Sequence, residues 1–365
     1  MIRELGLGGT ERQLVETALF LQGGRFQPHV GCFRPDGVRR QDLDSAGIPI
    51  VHLPVESFRS RGALKATIQL IHYLRQHRIQ VVHAFDATMN IFAVPIAKLE
   101  RVPAVIASQR GHRDLNGLGM KRFIRFTDSI ADAIVVNSEA MRRYLINDES
   151  VSESKIRVCY NAIDTVRFRR QVKAPSWPGK VVFGVVCALR PEKGLDIFLR
   201  AFAKILPREA MLLVVGSGPE ESRLKALAAE IGIGGLCHFE PATADVTEWL
   251  SKIDIFVLPS RTEALSNSLM EAMACNCCCI ASRVGGNPEL IDDGENGLLF
   301  EVDNVIQLAQ QMRTIASDES ARRRMSSAAS FRISSEFTYS RAADTMQQIY
   351  ESALLATRYR KDRTH

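Results

Sequence analysis

The segment IDIFVLPSRTEALSNSLMEAMAC, residues 253–275, decides the fold of the second half of the chain. It begins with an apolar run that ends at Pro259, and its β-branched and aromatic residues favour a strand buried on both faces. Residues 260–265 are typical of a loop, and helix formers follow from about Asn267. The segment therefore predicts a strand, a loop and a helix in succession.

Two carboxylates flank the start of this helix. Glu263 lies on the loop and Glu271 about one turn inside the helix. Eight residues at about 100° each end roughly 80° past two full turns, so both side chains can reach one extended ligand. Ligands of open α/β sheets bind outside the carboxyl ends of the strands, where this loop lies. The alternative is that both are ordinary surface glutamates.

The same alternation of strands and helices extends outward over 365 residues, a length that predicts two domains. Strands spaced by amphipathic helices indicate parallel sheets, so the expected class is α/β with two doubly wound domains. In the first half, one expected helical stripe contains Ile68, Ile71 and Leu74. The expected divisions are a first domain over 1–172, a linker over 173–180, a second domain over 181–335, a helix over 336–357 that packs back on the first domain, and a basic tail over 358–365.

Composition and charge narrow the class of protein. The chain is 46% hydrophobic and carries a net charge of +6, and residues 1–170 alone account for +8. This excess favours an anionic partner for the first half, such as a phosphorylated substrate or an acidic membrane, over nucleic acid. No apolar stretch is long enough to span a bilayer, and we expect a cytoplasmic protein. The eight cysteines predict buried free thiols rather than a metal site.

Several other residues follow expected strands. Gly8 and Gly9 precede a helix and suit a phosphate or an ordinary tight turn. Arg190 and Lys193 follow the strand at 181–189 and suit a diphosphate, although a solvated turn is the alternative. Gly216 is more typical of a turn than of a binding site. The further candidates for a donor phosphate or an acceptor, for each of which a structural or merely exposed role is favoured, are His83, Asp86, Arg110 and His112.

The motifs GLGGTERQ, ALRPEKG and VVGSGP, followed by the segment quoted first and by ASRVGGNPELI, resemble glycosyltransferase family 4 over nearly the whole chain. The resemblance implies a GT-B fold, in which two Rossmann-like domains face each other across a cleft. It also implies transfer of a sugar from a nucleotide diphosphate sugar with retention of configuration, without metal or other cofactor.

Residue roles follow from the same resemblance. Glu263 would contact the donor sugar and Glu271 the ribose hydroxyls. Arg190 and Lys193 would neutralise the diphosphate, helped by backbone N–H groups of Leu265, Ser266 and Asn267 and by Gly8 and Gly9. The chain departs from the family pattern where Ala264 follows the first glutamate, at Asn276 and Cys278, and where Arg110 replaces a histidine, with His112 two residues on.

The start of the chain also departs from the family, because only MIREL precedes Gly6 where a full strand is usual. We expect that Met1 is an internal start or a truncation. Loss of most of a central strand would expose the edges and apolar faces of its neighbours.

The leading hypothesis is a hexosyltransferase that builds a polysaccharide, oligosaccharide or glycolipid. A basic and apolar stretch of the first half suits an acidic membrane that carries a lipid-linked acceptor. It consists of Lys121, Arg122, Phe123, Ile124, Arg125 and Phe126. The sequence nevertheless favours an ordinary helix packed on the sheet for this stretch. A sugar-nucleotide epimerase of the same architecture and a catalytically silent sugar-nucleotide-binding protein are the alternatives.

Overall fold

The computed structural model describes residues 1–115, 117–171, 177–205 and 210–362. The chain forms two compact units, the first from Met1–Ala162 together with Tyr339–His365 and the second from Ile163–Thr338. The chain leaves the first unit at Ala162, ten residues before the expected end of the first domain. Of the expected linker, 173–176 lie outside the described residues, and a turn follows them.

Both units alternate strands and helices. The first unit has strands β1 (Ile2–Glu4), β2 (Val30–Arg34), β3 (Ile50–His52), β4 (Val81–Ala84), β5 (Ala104–Gln109), β6 (Ala133–Val136) and β7 (Ile156–Val158), and helices α1 (Gly9–Leu21), α2 (Arg40–Ser45), α3 (Arg61–Gln76), α4 (Ala87–Leu99), α5 (Leu118–Ile130) and α6 (Glu139–Asn147). The second has β8 (Val181–Val186), β9 (Ala210–Val215), β10 (Cys237–Glu240), β11 (Ile255–Leu258), β12 (Cys278–Ser282) and β13 (Leu298–Phe300), with α7 (Leu195–Ile205), α8 (Glu221–Glu230), α9 (Val246–Leu250), α10 (Asn267–Ala274), α11 (Asn287–Leu290), α12 (Val305–Ser317) and α13 (Glu319–Glu336). A last helix, α14 (Tyr339–Asp362), completes the first unit.

The strands of the first unit are parallel and lie in two sheets, ordered β1-β2-β3 and β4-β5-β6-β7. Met1 joins the sheets, because its nitrogen donates to the His83 carbonyl oxygen at 2.6 Å and its own carbonyl accepts from the Phe85 N–H at 3.0 Å. A cavity of about 340 Å³ adjoins Met1, with Leu14, Val30 and Val82 in its wall. Arg3 of β1 adds a further link, because its N–H donates to Asp86 Oδ2, just after β4, at 2.8 Å.

Helix α14 supplies core to the first unit. Its Met346, Ile349 and Tyr350 are buried against Ala104 and Ile106 of β5. The helix ends at Asp362, beyond the expected end at 357, and so takes in most of the segment expected as a basic tail. Residues 363–365 lie outside the described part of the chain.

Helix α3 of the first unit buries only part of the stripe expected from the sequence, with Leu74 in the core and Ile71 half-buried against it. Ala63, Ala66, Leu70 and Leu74 are buried, whereas Ile68 is exposed. The expectation for Ile68 was wrong because the stripe of α3 that meets the core leaves Ile68 on the opposite side of the helix.

The second unit is one parallel sheet ordered β10-β9-β8-β11-β12-β13. From β8, the strands β9 and β10 follow in chain order on one side of the sheet. The strands β11, β12 and β13 follow in chain order on the other side. The order thus reverses between β8 and β11, and a crevice opens there at the carboxyl ends of the strands. The four residues of β11 are fully buried, as expected for a parallel strand covered on both faces.

All eight cysteines are free, and six of them are buried. The run from Cys275 to Cys279 enters and forms β12, and burial raises the pKa of Cys278 to about 12. The exceptions to the expected burial are Cys187 and Cys237, which are partly exposed. Within the described ranges, no helix combines the length and the hydropathy that a membrane crossing requires.

Candidate active site

The loops that follow β8 and β11 meet at the crevice of the second unit. Gly194 has a φ of 62°, and a Cβ there would lie 2.2 Å from the carbonyl oxygen of Pro259. The Arg261 N–H donates to the Glu192 carbonyl oxygen at 2.8 Å. Only glycine fits at 194, because the position needs both the left-handed conformation and the space of a missing side chain. The two loops are therefore fixed against each other.

This contact brings Lys193 to Glu263. The ammonium Nζ lies 2.6 Å from Glu263 Oε1, and the Ser260 hydroxyl donates to the same oxygen at 2.7 Å. The Glu263 side chain is only 9% exposed. Burial alone would lower the pKa of Lys193, but the neighbouring Glu263 carboxylate outweighs burial and the pKa is raised. Lys193 is therefore a fixed cation in the crevice.

The backbone of Glu263 is held from the other side by the turn after β12. Gly285 has a φ of 50°, and a Cβ there would lie 1.7 Å from the Glu263 carbonyl oxygen. The next residue, Gly286, donates its N–H to the Ala264 carbonyl oxygen at 2.9 Å. The two glycines in VGGN thus allow this turn to support the loop that carries Glu263.

Helix α10 begins directly after that loop. The Ser266 hydroxyl caps it by accepting from the Leu269 N–H at 3.3 Å, and Leu265 is buried beside it. The first N–H groups of a helix lack partners inside the helix and attract anions, and Asn267 is the first residue of this one. Glu271 lies one turn further and is buried. The expected positions of the loop, the helix start and both glutamates agree with the structure.

The Arg190 side chain and Gly216 contact residues other than Lys193, Ser260 and Glu263. The Arg190 side chain is exposed and lies 3.9 Å from Glu192 Oε1. Gly216 has a φ of 151°, and a Cβ there would lie 1.8 Å from the Cys187 carbonyl oxygen. The glycine is therefore required for the loops after β8 and β9 to pack, the role that the sequence favoured for it.

The candidates of the first unit lie at several places. Gly8 is the N-cap of α1 and Gly9 its first residue. His83 is buried, with Nδ1 2.8 Å from the Tyr350 hydroxyl and Nε2 2.8 Å from the Ser108 hydroxyl, and burial holds its pKa well below the usual range. Asp86 caps α4 by accepting from the Met89 N–H at 2.9 Å. His83 and Asp86 thus have structural partners in this unit.

Arg110 lies at the end of β5, over the ring of Phe85 at 5.0 Å, and donates to Asn161 Oδ1 at 2.9 Å. Burial lowers the pKa of its guanidinium. His112, two residues on, stacks at a tilt against Tyr144 with ring centroids 4.5 Å apart. Arg110 and His112 therefore point to different neighbours.

Sequence reasoning missed three kinds of contact. Ser260 and Asn287 lie within quoted motifs, yet only the fold brings Ser260 to Glu263 and buries the Asn287 amide, which donates to the Ser282 carbonyl oxygen at 3.0 Å. The third is a buried ion cluster in which Arg113 contacts both Asp128 and Glu149. No local spacing could have revealed that cluster, because its members come from separate elements.

Comparison with known proteins gives these features a context. Residues 168–331 match the family described as Glycosyl transferases group 1, and residues 7–167 match Glycosyltransferase Family 4. N-acetyl-alpha-D-glucosaminyl L-malate synthase of Bacillus anthracis is 30% identical over 298 residues, which cover 77% of this chain and 76% of the relative. D-inositol 3-phosphate glycosyltransferase of Streptomyces bingchenggensis is 25% identical, and the match covers 76% of this chain and 62% of the relative.

Solved structures share the fold. The Anabaena protein HepE, in complex with UDP and glucose, superposes with a TM-score of 0.84 at 20% identity and covers 96% of this chain and 99% of its own. Sucrose-phosphate synthase from Thermosynechococcus elongatus superposes with a TM-score of 0.79 at 19% identity, covering 96% and 94%. The architecture is therefore GT-B. Together with the Bacillus relative and the two matched families, this shows that the chain belongs to glycosyltransferase family 4.

Proposed function

We propose that this protein transfers a hexosyl group from a nucleoside diphosphate sugar to a glycan or lipid-linked acceptor, with retention of configuration and without a metal ion. The observation that carries the proposal is the cluster of Lys193, Glu263 and Ser260 at the point where the strand order reverses. Such reversal points are where doubly wound sheets bind nucleotides.

The chemistry of the donor explains why these residue types suit the cluster. When the bond between the anomeric carbon and the phosphate oxygen breaks, the electron pair stays with the leaving diphosphate and negative charge builds there. Lys193, Arg190 and the first N–H groups of α10 supply positive charge for that oxygen. Glu263 accepts hydrogen bonds from sugar hydroxyls and Glu271 from ribose hydroxyls. The fixed cation Lys193, together with the exposed Arg190, would stabilise the departing diphosphate without a divalent ion.

The acceptor is proposed to be anionic. The names of the relatives contain L-malate and D-inositol 3-phosphate, and a third relative, from Campylobacter jejuni, is named for transfer to a diphospho-undecaprenol; it is 28% identical, and the match covers 58% of each chain. The basic excess of residues 1–170 supports the same class of acceptor. We place the reaction in the cytoplasm, at the inner face of the membrane.

The decisive experiment has two steps. Purified protein is first screened by thermal shift against nucleoside diphosphate sugars, because a ligand that binds the folded state raises the apparent melting temperature. The best donor is then incubated with candidate acceptors in the presence of a chelator. Acceptor-dependent release of the nucleoside diphosphate supports transfer. Interconversion of the sugar nucleotide without acceptor would instead show an epimerase, and binding without turnover a silent binding protein.

A further inference from the structure

The first unit covers one side of its sheets with three neighbouring helices. Helix α4 packs against α3 on one side and against α5 on the other. The inner faces of α3 and α4 form a core with strands β3, β4 and β5. The outer surface of these three helices is called here the α3–α5 face.

Helix α3 presents apolar side chains on its outer surface. Leu64 is 65% exposed and Ile68, one turn later, is 61% exposed. Arg61 and Lys65 are exposed on the same side of the helix. This arrangement cannot serve the core of the unit, because the opposite stripe of α3 already packs there.

Helix α5 repeats the pattern. Phe123 is 60% exposed and Phe126 is 54% exposed, and Arg122 is exposed beside them, whereas Ile124 is fully buried. The helix thus attaches to the unit through Ile124 and its neighbours and leaves both phenylalanines outside. The sequence favoured a helix packed on the sheet, and Ile124 shows that packing, while Phe123 and Phe126 lie on the opposite, exposed side of α5.

The charges on this face are almost all positive. Helix α3 contains no acidic residue, and the only one in α5, Asp128, is buried. Lys121 and Arg125 pair with Asp114 and Glu149. For Arg61, Lys65 and Arg122, the described part of the chain offers no ion-pair partner. The surface therefore combines exposed apolar side chains with uncompensated cations.

We propose that the α3–α5 face docks on the surface of an anionic lipid bilayer. Shallow insertion of Phe, Leu and Ile at the boundary of the acyl chains, with Arg and Lys at the lipid phosphates, is the mode of binding for which such helices are built. A protein partner would require a more continuous apolar patch than these separated side chains provide. Docking would bring the enzyme to a lipid-linked acceptor, so its role rests on the proposed transfer to such an acceptor.

The test is flotation of the full chain with vesicles, without substrates. We expect binding to vesicles that contain about one third phosphatidylglycerol, none to phosphatidylcholine alone, and release by high salt. The triple change Arg61→Gln, Lys65→Gln and Arg122→Gln is expected to weaken binding on the order of a hundredfold, since each cation is worth about fivefold near an anionic surface. Phe123→Ser with Phe126→Ser is expected to weaken it about tenfold or more.

Matched controls lie on the second unit. Ile306 and Phe331 are as exposed as the phenylalanines of α5, and their change to Ser is expected to leave vesicle binding unaltered. Arg200→Gln with Lys204→Gln and Arg324→Gln is the matched charge control. Equal binding to neutral vesicles, or equal loss in the controls, would overturn the proposal. Thermal shift with the donor on the same variants verifies folding, and its result separates failure of docking from failure of the proposed transfer.

Discussion

At the scale of single residues, the Glu263 carboxylate and a bound diphosphate would compete for the Lys193 ammonium. Without donor, the ammonium has the Glu263 carboxylate as its partner at 2.6 Å. A diphosphate that enters the crevice carries more negative charge and draws on the same cation. We therefore expect the two functions of the pair to separate on mutation.

The first prediction concerns Glu263→Gln. It removes the carboxylate that is proposed to hold the sugar and frees Lys193 for the proposed diphosphate. We expect kcat to fall by about a hundredfold or more, while the affinity for the nucleoside diphosphate of the best donor is unchanged or higher. Steady-state kinetics and calorimetric titration with that nucleoside diphosphate measure both quantities.

Two comparisons sharpen this prediction. Glu271→Gln is expected to weaken binding of the same nucleoside diphosphate, the quantity that Glu263→Gln spares. Glu301, an exposed glutamate of the same unit, provides the control Glu301→Gln, with no expected effect on either. A normal kcat for Glu263→Gln would remove this residue from the site.

The second prediction concerns the buried Asp128. Burial raises its pKa to about 6 and outweighs the lowering by Arg113. The charged form is thus disfavoured in the folded state, so the contribution of this group to stability is present below its ordinary pKa of 3.8 and is lost as the pH rises through about 6. The side chain of Asp128→Asn cannot titrate. Between low and neutral pH, the free energy of unfolding of this variant is therefore expected to change by up to about 3 kcal/mol less than that of the parent.

Denaturant unfolding of both proteins between pH 4 and pH 7 measures this dependence. Asp114→Asn serves as the control, because that aspartate is exposed and pairs with Lys121. Identical pH profiles for the parent and Asp128→Asn would show that the carboxylate does not titrate in this range.

At the scale of elements, the turn after β12 positions the loop after β11. Gly285→Ala would place a Cβ 1.7 Å from the Glu263 carbonyl oxygen and displace that residue. Gly294 also has a positive φ, 85°, but open space around it. We therefore expect Gly285→Ala to reduce kcat at least tenfold and Gly294→Ala to cost only the backbone strain of about 1 kcal/mol.

Activity and thermal melting of the two variants distinguish these effects. Both changes introduce a side chain in the left-handed region, so similar losses of stability are expected from strain alone. If both variants kept full activity, the support of Glu263 by Gly285 would be refuted.

The segment 253–275 and helix α3 differ in how far local sequence determines their structure. The strand, loop and helix of residues 253–275 were predicted close to their observed bounds, because an apolar run, a proline and a serine cap act over a few residues. The buried side of α3 was predicted only in part, because a helical period identifies stripes but not which stripe meets the sheet. Leu74 is buried as expected, whereas Ile68 is exposed for that reason.

At the scale of the whole molecule, the chain forms its first unit from two separate segments. The pattern of residues 336–357 predicted a helix, but the partners of Met346 come from distant strands. The reversal of strand order that brings Lys193 to Glu263 is likewise a property of the sheet. Sequence supplied both residues as candidates, and only the topology makes them neighbours.

The fourth prediction tests the return of α14 to the first unit. Met346 is buried and Leu355, on the same helix, is half exposed. We expect Met346→Ala to lower the free energy of unfolding by about 2–5 kcal/mol and Leu355→Ala by less than about 0.5 kcal/mol. Denaturant unfolding gives the magnitude.

Hydrogen exchange locates the effect of Met346→Ala. Faster exchange is expected in β5, which α14 covers. Faster exchange confined to the strands of the second unit would contradict this assignment of the helix.

The last helix has a consequence for biosynthesis. A ribosome releases residues 163–338 before it releases α14, so the second unit has its complete chain while the first still lacks the helix that covers β5. At ordinary elongation rates, synthesis of residues 163–338, which separate the two parts of the first unit, takes on the order of ten seconds. During it, the apolar surface of β5 is open to chaperones, and the domain that begins first is the last to close.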